Sequence, residues 1–215
     1  MLKTPQTSSI PTFAQCQQIW DELHTAPNVR RHSQLVADIA VYLGKRLIEA
    51  GETMDLTLVE AGALLHDALR FVGMPDIKLS HFAIPPSFED IRAWQEQNQK
   101  YAGLNHAQAI CAELLARGYD KSLADVIRKH DFDRIIDPED GVDTWEQKLV
   151  FYADKRVCHD QIVILKERFQ DIIERYPRFA GDPDHQLKFA AIFDLEEELF
   201  RLVGLEADRL GEYLD

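Results

Sequence analysis

Residues 55–71, DLTLVEAGALLHDALRF, decide the fold. The second half of this stretch is apolar nearly all round, which marks a helix at the centre of a core rather than one lying on a surface. Ala61, Gly62, Ala63 and Ala68 are small enough to let neighbouring helices approach closely. The pair His66-Asp67 stands inside it. A buried carboxylate without compensation would cost several kcal/mol or be forced to protonate, so Asp67 needs a cation.

The flanking stretches also read as helices. Upstream lie FAQCQQIWDEL (13–23) and VRRHSQLVADIAVYLGKRLIEA (29–50), in which His32, Val36, Ile39 and Leu43 share one face. Downstream, the Gly- and Pro-bearing stretch 72–87 is long enough to be functional and is expected to rim a site. Helices resume over 87–102, where Ser87 and Asp90 form a capping-box-like start, and over 106–118, opened at Asn105 and closed by Gly118. A short helix over 121–130 leads into an acidic, turn-rich stretch over 131–143. The pattern then predicts one long helix from about 144 to 176, stopped by Pro177, and an amphipathic helical segment from about 184 to the end. That last segment carries Phe189, Ile192, Phe193, Leu199 and Leu202 as its apolar stripe.

No segment shows strand alternation, and no repeat is present, so the expected architecture is an all-α helical bundle. Residues 1–12 read as a flexible arm, 13–176 as the body, and 177–215 as a helical extension covering the core or a partner subunit, which leaves a homodimer open.

At 215 residues the chain is long enough to bury a core unaided, and 46% hydrophobic with 28% charged residues is ordinary globular usage. The first residues lack the apolar run of a secretory signal, and no later segment is apolar enough to span a membrane. Cys16, Cys111 and Cys158 are odd in number and far apart, which argues against disulfides and for a reducing, cytoplasmic setting. A net charge of −13 opposes any extended grip on nucleic acid. An acidic substrate would need a local positive centre.

His-Asp dipeptides occur at His66, His130 and His159, so context must choose among them. Only His66-Asp67 lies in an apolar helix. His32 falls on the apolar face of its own helix, and Asp154, in KLVFYADKRV (148–157), shares a face with Val150 and Val157. His106 and His130, near helix ends, add two further imidazoles. Nitrogen and oxygen donors without thiolate suit divalent Fe, Mn, Co, Ni or Zn. Six candidates exceed what one catalytic ion takes, and two ions bridged by a carboxylate would use them all.

The order His32, His66-Asp67, His106, His130, Asp154 resembles the dinuclear members of the HD superfamily, over roughly residues 30–156. RRHSQLVADIA, AGALLHDALR and LVFYADKR look like the bacterial HD phosphohydrolases, notably the branch that includes the symmetrical diadenosine tetraphosphate hydrolases. The resemblance implies an HD-domain bundle with His32, His66, Asp67 and Asp154 on a first metal and Asp67, His106 and His130 on a second. It implies hydrolysis of a small phosphorylated substrate, a nucleotide above all, by water that the paired ions acidify. Asp67, Arg70 and Lys155 carry the expected catalytic roles. Arg70 stands where the family often has lysine, keeping the charge and adding a bidentate fork for phosphate. Two other readings are a di-iron oxygenase of the myo-inositol oxygenase kind, which resembles the same order, and a non-catalytic module that binds a nucleotide.

Other conspicuous residues have plainer readings. His81 suits a solvated loop, and His24, His159 and His185 suit helix ends or polar faces. Asp131 would either orient His130 from outside the ligand shell or face solvent, and Glu196, Glu197 and Glu198 read as a solvated helix face. Arg31, beside His32, is placed as a helper, and Trp20, Trp94 and Trp145 read as core or interface anchors.

Overall fold

A helix begins where a side chain can take up the backbone N–H groups that its first turn leaves free. The computed structural model, which describes residues 10–74, 77, 82 and 84–214, follows this rule closely. Thr12 and Gln15 form a capping box at α1 (Phe13–Glu22), and Pro27 opens α2 (Pro27–Glu49) from its first turn. Asp55 caps α3 (Leu56–Leu65). Ser87 with Asp90 and Asn105 with Gln108 make capping boxes at α4 (Phe88–Lys100) and α5 (His106–Ala116). Asp120 caps α6 (Lys121–Arg128), Thr144 with Gln147 caps α7 (Trp145–Lys155), and Asp182 caps α9 (Pro183–Val203). Between the last two lies α8 (Leu165–Arg175).

The architecture is all-α, with α3 at its centre, packed against α1, α2, α6 and α7. Glycine makes that closeness possible. A Cβ at Gly62 would stand 2.7 Å from Val126 Cγ1 on α6, and one at Gly44 of α2 would stand 2.7 Å from Leu56 Cδ2 at the start of α3. The larger apolar core runs from Cys16 on α1 to Leu210, with Ile192, Leu195, Leu199 and Phe200 bringing α9 into it, and a second, smaller cluster gathers Ala26, Val29 and Trp94. Leu187 and Phe193 on α9 stay exposed. No helix among the described residues is long and apolar enough to cross a membrane.

Three expected elements end early. The helix predicted over 144–176 is split. After α7 the chain turns through an antiparallel pair, β1 (Val157–Cys158) and β2 (Gln161–Ile162), with Val157 opposite Ile162 and His159 in the left-handed region at φ 59°. The cause is Arg156, only 1% exposed, whose guanidinium donates to the carbonyls of Val163 at 2.6 Å and Ala207 at 2.9 Å. The helix expected from 184 to the terminus stops at Val203, because Gly204 takes a left-handed cap at φ 67°. A 3-10 helix, Ala207–Tyr213, follows. Finally, α3 ends at Leu65, so His66 and Asp67 follow the helix instead of lying within it.

Of the arm expected over 1–12, residues 1–9 lie outside the described residues, while Ile10 packs on the core and Pro11 is buried. Residues 75, 76, 78–81 and 83 of the expected rim, His81 among them, also lie outside the described residues. Phe82 from that stretch, and Phe71 just before it, pack on Trp94. Glu196, expected on a solvated face, accepts from Tyr152 Oη at 2.6 Å and pairs with Arg156 at 3.0 Å. Glu198 pairs with Lys148 at 2.9 Å, and Glu197 is exposed.

Candidate metal centre

Five stretches of chain deliver six side chains to one place. His32 comes from α2, His66 and Asp67 from the end of α3, His106 from the first residue of α5, His130 from just past α6, and Asp154 from the last turn of α7. Past Leu65 the backbone switches to i to i+3 bonds, with Ala68 N on Leu65 O at 3.1 Å, Arg70 N on Asp67 O at 2.9 Å and Val72 N on Leu69 O at 2.9 Å. The carbonyl of Ala63 then accepts from His66 Nδ1 at 2.7 Å. His130 does the same at the end of α6, where its Nδ1 lies 2.6 Å from Ile127 O. Each ring is thereby held as the tautomer whose Nε2 carries a lone pair directed into the centre.

Asp154 Oδ1 is 3.0 Å from His32 Nε2 and 3.5 Å from His66 Nε2. Asp67 Oδ1 is 3.2 Å from His106 Nε2 and 3.8 Å from His130 Nε2, and Asp67 Oδ2 is 3.7 Å from His66 Nε2. The Nε2 atoms of His106 and His130 face each other at 3.2 Å. His66 Nε2 and Asp67 Oδ1, both buried, make no hydrogen bond. A buried lone pair directed at another lone pair or at a carboxylate is unfavourable unless a cation lies between them.

The charges agree with that geometry. Burial and the neighbouring His66 and His106 rings push His130 down to about 3, so it is neutral near pH 7. Burial would raise the Asp67 carboxyl, yet Arg70, His66 and His106 hold it well below the usual carboxylate range. Asp154 is lowered in the same way, with Lys155, His32 and His66 outweighing burial. Burial would lower His66, but Asp67 and Asp154 raise it. Both carboxylates are thus ionised and draw positive charge to themselves.

The buried His and Asp groups can hold a metal ion. His32, His66 and Asp154 form one set with ligand atoms mutually within 4.8 Å, as do His66, Asp67 and His130, and as do His106, His130 and Asp131. The donors are nitrogen and oxygen throughout, which suits the borderline and hard divalent metals.

Two cations border the centre in different ways. In a 3-10-like turn residues i and i+3 eclipse, which brings Arg70 Nη1 to 3.6 Å from Asp67 Oδ1 and 3.2 Å from His106 Nε2. The Arg70 side chain keeps 40% of its surface exposed, so it bridges the buried ligands and solvent. Lys155 is 5% exposed, and its Nζ donates to Asp154 Oδ2 at 2.6 Å and to the His130 carbonyl at 3.0 Å. Arg31 is turned outward, 3.8 Å from Asp160.

Among the described residues, the other histidines stand apart from the centre. His24 pairs with Asp90 at 2.9 Å, His185 pairs with Asp182 at 3.0 Å, and His159 is exposed. Cys158, His159 and Asp171 also come within 4.8 Å of one another, but Asp171 is already paired with Arg168 at 3.1 Å and with Arg175. A groove of about 470 Å³ among α1, α4 and α5, lined by Glu22, His24, Glu96, Lys100 and Arg117, includes none of the six ligands. Asp131, expected either to orient His130 or to face solvent, stands beside His106 and His130, and the His-Asp dipeptide at 130 is the sequence signal for it. No family model, curated protein or solved structure matches the chain.

Proposed function

We propose that the chain is a metal-dependent phosphohydrolase that cleaves an ester or anhydride of a small phosphorylated molecule, a nucleotide above all. What supports this is the pair of unpartnered buried atoms, His66 Nε2 and Asp67 Oδ1, amid nitrogen and oxygen donors with the partly exposed Arg70 side chain beside them. The ligand order, which resembles that of the HD superfamily, points the same way.

His32, His66 and Asp154 would hold one divalent ion, His106 and His130 a second, and Asp67 would face both. Such a pair supplies Lewis-acid charge and lowers the pKa of bound water toward neutrality. The chain's own residues do the rest. The Ala63 and Ile127 carbonyls fix the imidazole tautomers. Arg70 presents a bidentate fork to phosphoryl oxygens where charge develops. Lys155, buried and committed to two acceptors, acts as a positioning residue, holding Asp154 and the His130 backbone together.

The test is a nucleotide and generic phosphodiester panel assayed with Mn²⁺- or Co²⁺-loaded protein, with and without O₂, beside Asp67→Ala. Hydrolysis that is indifferent to O₂ and lost in the variant is expected. Undiminished turnover in Asp67→Ala, or a strict need for O₂, overturns the proposal.

A further inference from the structure

We propose that Asp131 is a direct ligand of the second metal ion, the counterpart of Asp154 on the first. The inference rests on the dinuclear reading given above and adds a residue that the resemblance to known ligand orders does not include.

Three overlapping donor sets converge in the centre, but they cannot all be filled at once. His66 and His130 have committed Nδ1 to backbone carbonyls at 2.7 Å and 2.6 Å, so each has only Nε2 to give, and to one ion. The two sets that share no residue are His32, His66, Asp154 and His106, His130, Asp131. Asp67 lies between them, with Oδ2 toward His66 and Oδ1 toward His106. Two ions therefore use every donor once, each with two imidazoles, one carboxylate of its own and a share of Asp67. Without Asp131 the second ion would keep only two imidazoles and the shared oxygen.

The surroundings hold Asp131 in place for this role. Asn105 caps α5 by accepting from Gln108 N at 2.8 Å, and the same amide donates from Nδ2 to Asp131 Oδ2 at 3.2 Å. His106 is the next residue, so one cap fixes both a ligand and the carboxylate opposite it. A second ion held by two carboxylates is in a harder site than one held by imidazoles alone, favouring Mn²⁺ or Fe²⁺ over softer ions.

Asp131→Asn separates a ligand from an outer partner, because the amide retains an oxygen for Asn105 but is a much poorer metal donor. Co²⁺ is titrated into metal-free wild type, Asp131→Asn and Asp131→Ala. Stoichiometry is read by elemental analysis and the d–d absorption, and folding by far-UV circular dichroism. Wild type is expected to take up two ions. Both variants are expected to bind the first ion unchanged and the second more than about 100-fold more weakly, beyond the loss of about 10–100-fold typical of an outer partner. A second ion weakened by less than that in folded Asp131→Ala overturns the inference. Wild type that takes up a single ion overturns it too, while a one-ion hydrolase survives. Wild type that takes up none overturns the proposed function as well.

Discussion

Glu196→Ala is expected to destabilise the fold through Arg156, whose side chain is 1% exposed and whose only carboxylate partner among the described residues is Glu196 at 3.0 Å. Removing one member of a buried ion pair typically costs about 3–5 kcal/mol, because the other charge is left uncompensated. Here the loss is smaller. Arg156 keeps the Val163 and Ala207 carbonyls, and water reaches a side chain that is 14% exposed, so about 2–3 kcal/mol is expected. An unfolding entropy of about 2.1 cal/mol/K per residue over 215 residues gives about 0.45 kcal/mol/K, and hence a Tm lower by about 4–7 °C. The assay is thermal unfolding with excess chelator, so that metal binding does not shift the baseline. Glu197→Ala, on the exposed neighbour, serves as the control and is expected to change stability by less than about 0.5 kcal/mol. Equal Tm values for the two variants would refute the role given to Arg156 as the residue that turns the chain after α7.

Gly62→Val drives side-chain atoms into Val126, already 2.7 Å from where a Cβ would stand, and is expected to lower stability in urea by about 2–3 kcal/mol, whereas an unchanged midpoint would contradict the close approach of α3 and α6. Burial pushes the Glu113 carboxyl up, but hydrogen bonds from Lys100, Tyr101 and Arg117 outweigh it and bring it from 4.5 to about 2. A depressed folded pKa gives stability that is complete above pH 4.5 and lost as pH falls toward 2, so Glu113→Gln should flatten that acid limb in urea midpoints measured against pH. Arg70→Ala is expected to reduce kcat by about 10²–10³-fold with metal content unchanged, and Arg70→Lys to recover part of it, while loss of metal from either variant would place Arg70 in a different role.

Local chemistry made much of this fold legible in advance. The Ser87–Asp90 box, the Asn105 start and the Gly118 stop are side-chain or backbone preferences satisfied within one turn, and each stands where the sequence puts it. The split after Lys155 was not legible, because Val150, Val157 and Ile164 recur every seven residues, a helical interval, across the β1–β2 hairpin. What breaks the helix is Arg156, which reaches Val163 and also residues 40 and 51 positions away that no local window of sequence contains.

His32, His66, Asp67 and Asp154 were legible because inward-facing polar residues in apolar segments are conspicuous, whereas His106 and His130, near helix ends, were added by the order of the set. His66-Asp67 was expected inside a helix, and its real setting explains more. The tightened turn places Arg70 over Asp67 and gives His66 a carbonyl for Nδ1. Glu196 was misjudged for a physical reason, and Asp131 could not be placed for the same one. Both lie in acidic stretches, and composition cannot distinguish a carboxylate facing water from one facing an imidazole or a guanidinium.

The most direct test of the account is a crystal structure of Mn²⁺-loaded protein with anomalous difference maps. The account predicts two peaks, one within coordinating distance of His66 Nε2 and the other of His130 Nε2, with the Asp67 carboxylate between them. Maps without a peak among these side chains, or with ions only beside Cys158, His159 and Asp171, would contradict it.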